Sequence, residues 1–400
     1  VGDGIVVWQR DDIGTARRWS MLGLGFGAQA VCGLVVNGAP FLIPTLQQRW
    51  GLDLAGAGLL VALPTFGVMA TLILWGALAD AIGERVVLGV GVLGAAGAVV
   101  WAATADDEWW FGAAMLVAGM FAASANAASG RVVVGWFPPE RRGLVMGIRQ
   151  GAQPFGVAVA ALTLPIIGEK HGAPAALTVS AIIAGVIGLA CALLVRDPPR
   201  PPRKDAEPHL TANPYRGSSM LWRIHGVSVL LVMPQFVAWS FALVWLTTER
   251  GWSTAAAGVL VTVTQVLGAI GRLVVGAWSD RVRSRMRPLR WVALGVSASM
   301  LLLAVTDVIG TPVAVVVLVI ASVVSAAPNG LAFTSVAEIG GPFWAGRALG
   351  VQNTAQFLAG AAIVPVAGAL ITGIGYPWTF AIVGLAALLA APLVPRRDTP

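Results

Sequence analysis

Ten apolar runs free of Asp, Glu, Lys and Arg divide this chain, at 19–48, 54–79, 86–105, 109–130, 150–168, 171–195, 226–248, 251–271, 291–306 and 308–337. An eleventh, 348–395, is long enough for two crossings, and its middle, Gly373-Ile-Gly-Tyr-Pro377, reads as a tight turn between helices. Runs of this kind cross the roughly 30 Å hydrocarbon core of a bilayer as helices, so the chain is expected to span it twelve times. Composition agrees: 57% of residues are hydrophobic and 11% charged, with mean hydropathy +0.80, against about 25% charged in soluble domains. Lipid must be the solvent of so apolar a surface.

The basic residues orient the spans, because Lys and Arg concentrate on the cytoplasmic side. With both termini cytoplasmic, 23 of the 26 fall at that face and only Arg49, Lys170 and Arg250 lie outside. The expected location is integral and multi-pass, in a bacterial-type plasma membrane. The net charge of +7 then reflects topology, and nucleic acid is a poor partner because the basic residues are spread over loops and tails. The first run is read as a retained helix, not a cleaved leader. Cys32 and Cys191 each sit inside an apolar run, as buried small hydrophobes do.

Between the sixth and seventh spans, Pro198, Pro199, Pro201, Pro202, Pro208 and Pro214 forbid a helix and favour an extended connector. The expected organisation is a six-helix bundle at 1–195, a cytosolic Pro-rich linker at 196–223 and a second six-helix bundle at 224–400.

The halves also repeat each other. Gly76-Ala-Leu-Ala-Asp80 recurs as Gly276-Ala-Trp-Ser-Asp280, and residues 41–85 agree with 241–285 at 12 of 45 positions. A second alignment, shifted by 203, pairs Asn126 with Asn329, Gly147 with Gly350 and Gln153 with Gln356. Duplication of this kind marks transporters built from repeats around a central site. The fold class is therefore an all-α membrane protein of twelve transmembrane helices in two pseudo-symmetric six-helix bundles.

The loop Gly76-Ala-Leu-Ala-Asp80-Ala-Ile-Gly83-Glu-Arg85 resembles the signature loop of the major facilitator superfamily, and Gly276 to Arg285 its pseudo-symmetric partner. Phe137-Pro-Pro-Glu-Arg-Arg-Gly143, followed by Gly147, resembles that superfamily's connection between spans four and five. Gly76 and Gly276 let helices approach, and an acid four residues on can face the positive N-terminal end of a helix in the other half. The resemblance implies that Asp80 locks the inner face against span eleven and Asp280 against span five; the alternative is that both are solvated loop acids.

The first copy departs from the superfamily pattern. Glu84 stands where a basic residue is usual, and Arg131 where an acid is frequent at the inner end of span four. The reversal implies a swapped ion pair, Glu84 with Arg131, and by symmetry Glu338 with Arg283 or Arg285. With Arg85 these form a set of gating candidates, or else charges that snorkel separately to the interface.

Two cations sit deeper, Arg272 in span eight and Arg149 in span five. A cation at such depth costs at least about 2.5 kcal/mol unless it faces a cavity or partner. Gly271-Arg272-Leu-Val-Val-Gly276 resembles the eighth span of oxalate/formate antiporters, monocarboxylate carriers and nitrate porters. That likeness implies that Arg272 contacts an anionic substrate and that Arg149, on a facing span, completes a clamp; a planar guanidinium fork suits carboxylate or nitrate. The bland alternative is that Arg272 braces helix-end carbonyls. The amides Asn126, Asn329, Gln153 and Gln356, with Gln150, Asn353, Gln265 and Asn37 behind them, are cavity-lining candidates or helix cement.

Gly89-Val-Gly91-Val-Leu-Gly94 matches a dinucleotide fingerprint, but no strand precedes it and small residues inside a span serve packing. His225, beside Arg223 at the start of span seven, reads as interfacial more than as a proton carrier. No Walker loop, metal cluster or nucleophile elbow appears. The sequence thus points to a secondary active transporter with no cofactor, no enzymatic activity and no obligate protein partner, carrying a small organic or inorganic anion. The alternatives are efflux of apolar or cationic compounds and a non-transporting receptor of the same fold.

Overall fold

The computed structural model describes residues 13–200 and 206–398, so the linker residues Pro201, Pro202, Arg203 and Lys204 lie outside the described residues. The helices are α1 Gly14–Cys32, α2 Ile43–Trp50, α3 Leu54–Ile82, α4 Glu84–Thr104, α5 Glu108–Trp136, α6 Pro139–Gln150, α7 Ala152–Leu194, α8 Pro208–Thr211 and α9 Pro214–Gly217. There follow α10 Met220–Thr248, α11 Thr254–Arg281, α12 Met286–Val308, α13 Val313–Ala326, α14 Pro328–Leu388 and α15 Ala390–Leu393.

Nine helical stretches among the described residues are long and apolar enough to cross a membrane. Seven are single crossings. Pro139–Leu194 breaks at Gly172, and Val313–Leu393 breaks at Gly341 and Gly375, all three at positive φ, which makes twelve spans. Gly172 with Pro174 and Gly375 with Pro377 are the same device in the two halves. Glycine takes the left-handed turn without steric cost, and proline two residues on starts the next helix.

Helix starts are set by side-chain caps. Asp53 accepts from Gly56 N at 2.7 Å before α3, Asp107 from Trp110 N at 2.8 Å before α5, and Ser253 from Ala256 N at 3.3 Å before α11. Large apolar side chains then face outward, Leu162 being 71% exposed and Trp291 65%. The inner faces hold small ones, such as Ala118, Ala122, Ala123, Ala125 and Ala127 on α5. This inversion of a soluble core lets helix backbones pack closely in lipid. Gly89, from the false dinucleotide pattern, belongs to it: a Cβ there would lie 2.9 Å from the Ala192 methyl.

The chain forms two compact units, one of residues 1–138, 152–213 and 340–350, the other of 139–151, 214–339 and 351–400. In the first, α3 packs on α5, and α4 on α5 and α7; in the second, α11 packs on α6 and α13, and α12 on α13. Each unit thus carries a short segment from the opposite half of the chain. Those segments hold the polar contacts described next.

Candidate functional site

In the first unit, α3 crosses the turn at Gly346 so closely that a Cβ on Gly76 would collide with the Gly346 carbonyl. One turn further, Asp80 reaches the amides of that turn. Its Oδ1 accepts from Gly346 N at 2.8 Å, and its Oδ2 from Arg347 N and Arg347 Nε, both at 3.0 Å. The Arg347 guanidinium lies 3.8 Å from the Trp344 ring centroid. Arg200 donates to the Asp80 backbone carbonyl at 2.8 Å, tying the start of the linker to the same corner.

The second unit repeats the crossing. Gly276 lies against Gly143, and Asp280 accepts from Gly143 N on Oδ1 and Leu144 N on Oδ2, both at 2.9 Å. Here the cation comes from elsewhere. Arg285, in the loop after α11, donates to Asp280 Oδ1 at 2.5 Å, Ser279 Oγ at 2.7 Å and the Pro139 carbonyl at 2.8 Å, and pairs with Glu338 at 3.2 Å. Of the two arginines left open for Glu338, Arg285 makes the contact. Arg283 is exposed, with φ 49°, and Arg142 adds a second contact to Glu338 at 3.5 Å. A carboxylate near the N-terminal end of a helix is stabilised by up to about 2 kcal/mol when partly buried, and both aspartates are buried.

Glu84, first residue of α4, pairs with Arg131 on α5, both fully or nearly out of reach of solvent. The pair joins consecutive helices of the first unit. Arg85 does not meet Asp80: its backbone N–H donates to Asp197 at 2.7 Å and its Nε to the Ala192 carbonyl at 2.7 Å.

The two deep arginines meet at one residue. Arg272 donates from Nε to the Ala326 carbonyl and from Nη1 to the Gln150 carbonyl, each at 3.1 Å. Arg149 donates to the Gln150 side-chain oxygen at 3.1 Å and lies 5.9 Å from the Phe333 ring centroid. Arg149 is 1% exposed and Arg272 5%. Guanidinium has five N–H donors. Arg272 spends two on these carbonyls, and the other three meet no protein acceptor among the described residues.

The amides gather into two threes. Gln29 on α1 donates to Asn126 Oδ1 at 2.7 Å and to Gln153 Oε1 at 3.5 Å, and Asn126 donates to Cys32 Sγ at 3.2 Å. In the other unit Asn329 donates to Gln235 on α10 at 3.0 Å and accepts from Gln356 at 3.1 Å. The paired amides were visible in the shifted alignment; Gln29 and Gln235 were not. They fall outside its register, and only their being lone polar residues in apolar runs could have marked them. Arg347 was equally hidden, because its counterpart under the same shift is Leu144.

A model of the Major Facilitator Superfamily matches residues 25–364. The chain is 46% identical over 391 residues, 98% of its length and 88% of the relative's, to an uncharacterised MFS-type transporter of Mycobacterium tuberculosis. Two partial relatives are the hexuronate transporter of Bacillus subtilis, 30% identical over 178 residues (41% of each chain), and the puromycin resistance protein of Streptomyces alboniger, 31% identical over 185 residues (45% of this chain, 36% of that one). In fold the chain is similar to the proton:xylose symporter XylE, with TM-score 0.78 and 17% identity, covering 96% of this chain and 98% of that one.

Proposed function

The chain belongs to the major facilitator superfamily, and from that premise we propose that this membrane transporter carries a small organic or inorganic anion held by Arg272 and Arg149. The observation that carries the reading is the Gln150 junction. It fixes two buried guanidinium groups from α6 and α11 together, with three Arg272 N–H donors left over after its carbonyl bonds. Bringing two cations together is unfavourable; an anion between them removes that repulsion and favours the occluded form. The partial likeness to a hexuronate transporter, whose named substrate is a carboxylate, supports the same reading.

Gating follows from the acids. Asp80 and Asp280 are inner-face locks that release as the halves, 1–195 and 224–400 joined by the linker 196–223, rock about a midplane site. Arg285 and Glu338 reinforce the second lock, while Glu84 with Arg131, and Arg85, hold the first half together beside its lock. Asn126 and Gln153 in the first unit, and Asn329 and Gln356 in the second, are substrate-binding candidates. Both termini lie in the cytoplasm of a bacterial-type cell, as the basic loops require.

A second reading has its own support: the likeness to a puromycin resistance protein favours efflux of an organic cation, with the arginines as braces. Uptake of labelled glucuronate, oxalate, lactate and nitrate, against puromycin, into liposomes holding the purified protein decides between them. Flux of an anion that is lost in Arg272→Lys supports the clamp, and flux of puromycin alone refutes it.

A further inference from the structure

We propose that His225 is a proton-binding site, built so that taking up a proton reverses one hydrogen bond between span seven and the linker. His225 lies in the first turns of α10 and is 4% exposed. Its Nε2 is 2.9 Å from the Tyr215 hydroxyl, and its Nδ1 meets Gln352 Oε1, whose amide nitrogen in turn meets Ser228 Oγ. Tyr215 stacks on the imidazole at 5.8 Å, and Trp222 closes the edge at 6.1 Å. Linker, span seven and span eleven are thus joined through one imidazole, all within the second unit.

Two forms of the ring can use these partners. The neutral ring with hydrogen on Nδ1 donates to Gln352 and accepts from the Tyr215 hydroxyl. The charged ring donates from both nitrogens, and the hydroxyl then turns to accept. Keeping both ring nitrogens hydrogen-bonded lowers, without removing, the cost of burying the charge.

Charged neighbours turn elsewhere. Arg223 donates to the Leu393 and Pro392 carbonyls, Arg290 to Val394 and Pro395, and Arg216 is exposed. Gln352 of α14 meets the ring, Ser228 of α10 holds the Gln352 amide, and no acid among the described residues bonds the imidazole. The buried carboxylates Asp80, Asp280 and Glu84 are already engaged by guanidinium groups. At His225 a proton adds charge without breaking an ion pair among the described residues. Histidine changes charge between about pH 5 and 8, whatever the charge of the substrate.

The chain has three His and two Tyr, which makes the test direct. The full-length protein in lipid nanodiscs, labelled with 13C in the His ring and at the Tyr hydroxyl-bearing carbon, is followed by NMR from about pH 5 to 8.5. His171→Gln with His209→Gln leaves His225 as the sole histidine, and Tyr376→Phe leaves Tyr215. If those variants do not fold, His225→Gln assigns the signal in the wild type by its loss. The expected result is one titration step at His225 with the Tyr215 carbon shifting at the same midpoint, and a midpoint moved in Tyr215→Phe. A His225 ring that stays neutral throughout overturns the site. Titration that Tyr215 does not follow overturns the hydrogen-bond reversal.

Discussion

Asp80 and Asp280 each accept two consecutive backbone N–H groups and a guanidinium, but the guanidinium comes from a different place in each. Arg347 belongs to the capped turn itself, whereas Arg285 belongs to the loop that follows its own aspartate. The Arg347 side chain is 27% exposed and that of Arg285 is 8%. The locks are alike in backbone and unequal in electrostatics.

Asp280→Asn is therefore expected to weaken its lock more than Asp80→Asn does. Loss of the carboxylate removes up to about 2 kcal/mol of helix-end interaction in either, and in Asp280→Asn it also leaves the buried Arg285 with Glu338 as its one carboxylate partner among the described residues. Thiol labelling of cysteines placed beside each lock, at matched positions, should rise further in Asp280→Asn. Equal labelling in the two variants contradicts the inequality.

Glu84 and Arg131 form a buried pair, and removing one partner of such a pair costs about 3–5 kcal/mol because the other charge is stranded. Glu84→Arg and Arg131→Glu should each lower the thermal unfolding midpoint in detergent, and the double reversal should recover part of the loss. Strict additivity of the two losses means the side chains never meet.

Arg272→Lys keeps the charge but loses the fork that reaches the Ala326 and Gln150 carbonyls together. It should reduce anion uptake at least about tenfold, the factor that corresponds to 1.4 kcal/mol. Arg149→Gln should reduce uptake less. Anion uptake at the wild-type rate by Arg272→Ala refutes the clamp.

Gln29→Leu removes the hub of the first amide set and takes a donor from both Asn126 Oδ1 and Gln153 Oε1, while Gln235→Leu takes an end acceptor from the second. Hydrogen bonds between membrane helices contribute about 0.6–2 kcal/mol, so both variants should fold with lowered unfolding midpoints, Gln29→Leu the lower. The reverse order in a melting series contradicts the hub.

The orientation is checked by single cysteines at Lys170 and Arg216, both exposed, after Cys32 and Cys191 are replaced. They should label from opposite sides of sealed vesicles. Labelling of both from one side ends the twelve-span arrangement.

Sequence by itself determined the membrane class, the twelve spans, the duplication and the two doubled acids, Asp80 and Asp280. Charge along a span is costly in lipid and therefore scarce, so each span announces itself by what it lacks, and Asp80 and Asp280 stand out on scarce charged positions. It also marked Glu84 and Arg131 as partners, because their signs are reversed together. What tertiary structure alone decided was which groups complete each site: Arg347 for Asp80, Arg285 rather than Arg283 for Glu338, Gln29 and Gln235 for the amides, and Gln150 as the point where Arg149 and Arg272 converge. Each successive residue turns about 100° around a helix, so the partner of a buried polar group depends on the rotation and crossing of helices distant in the chain, which no local pattern encodes.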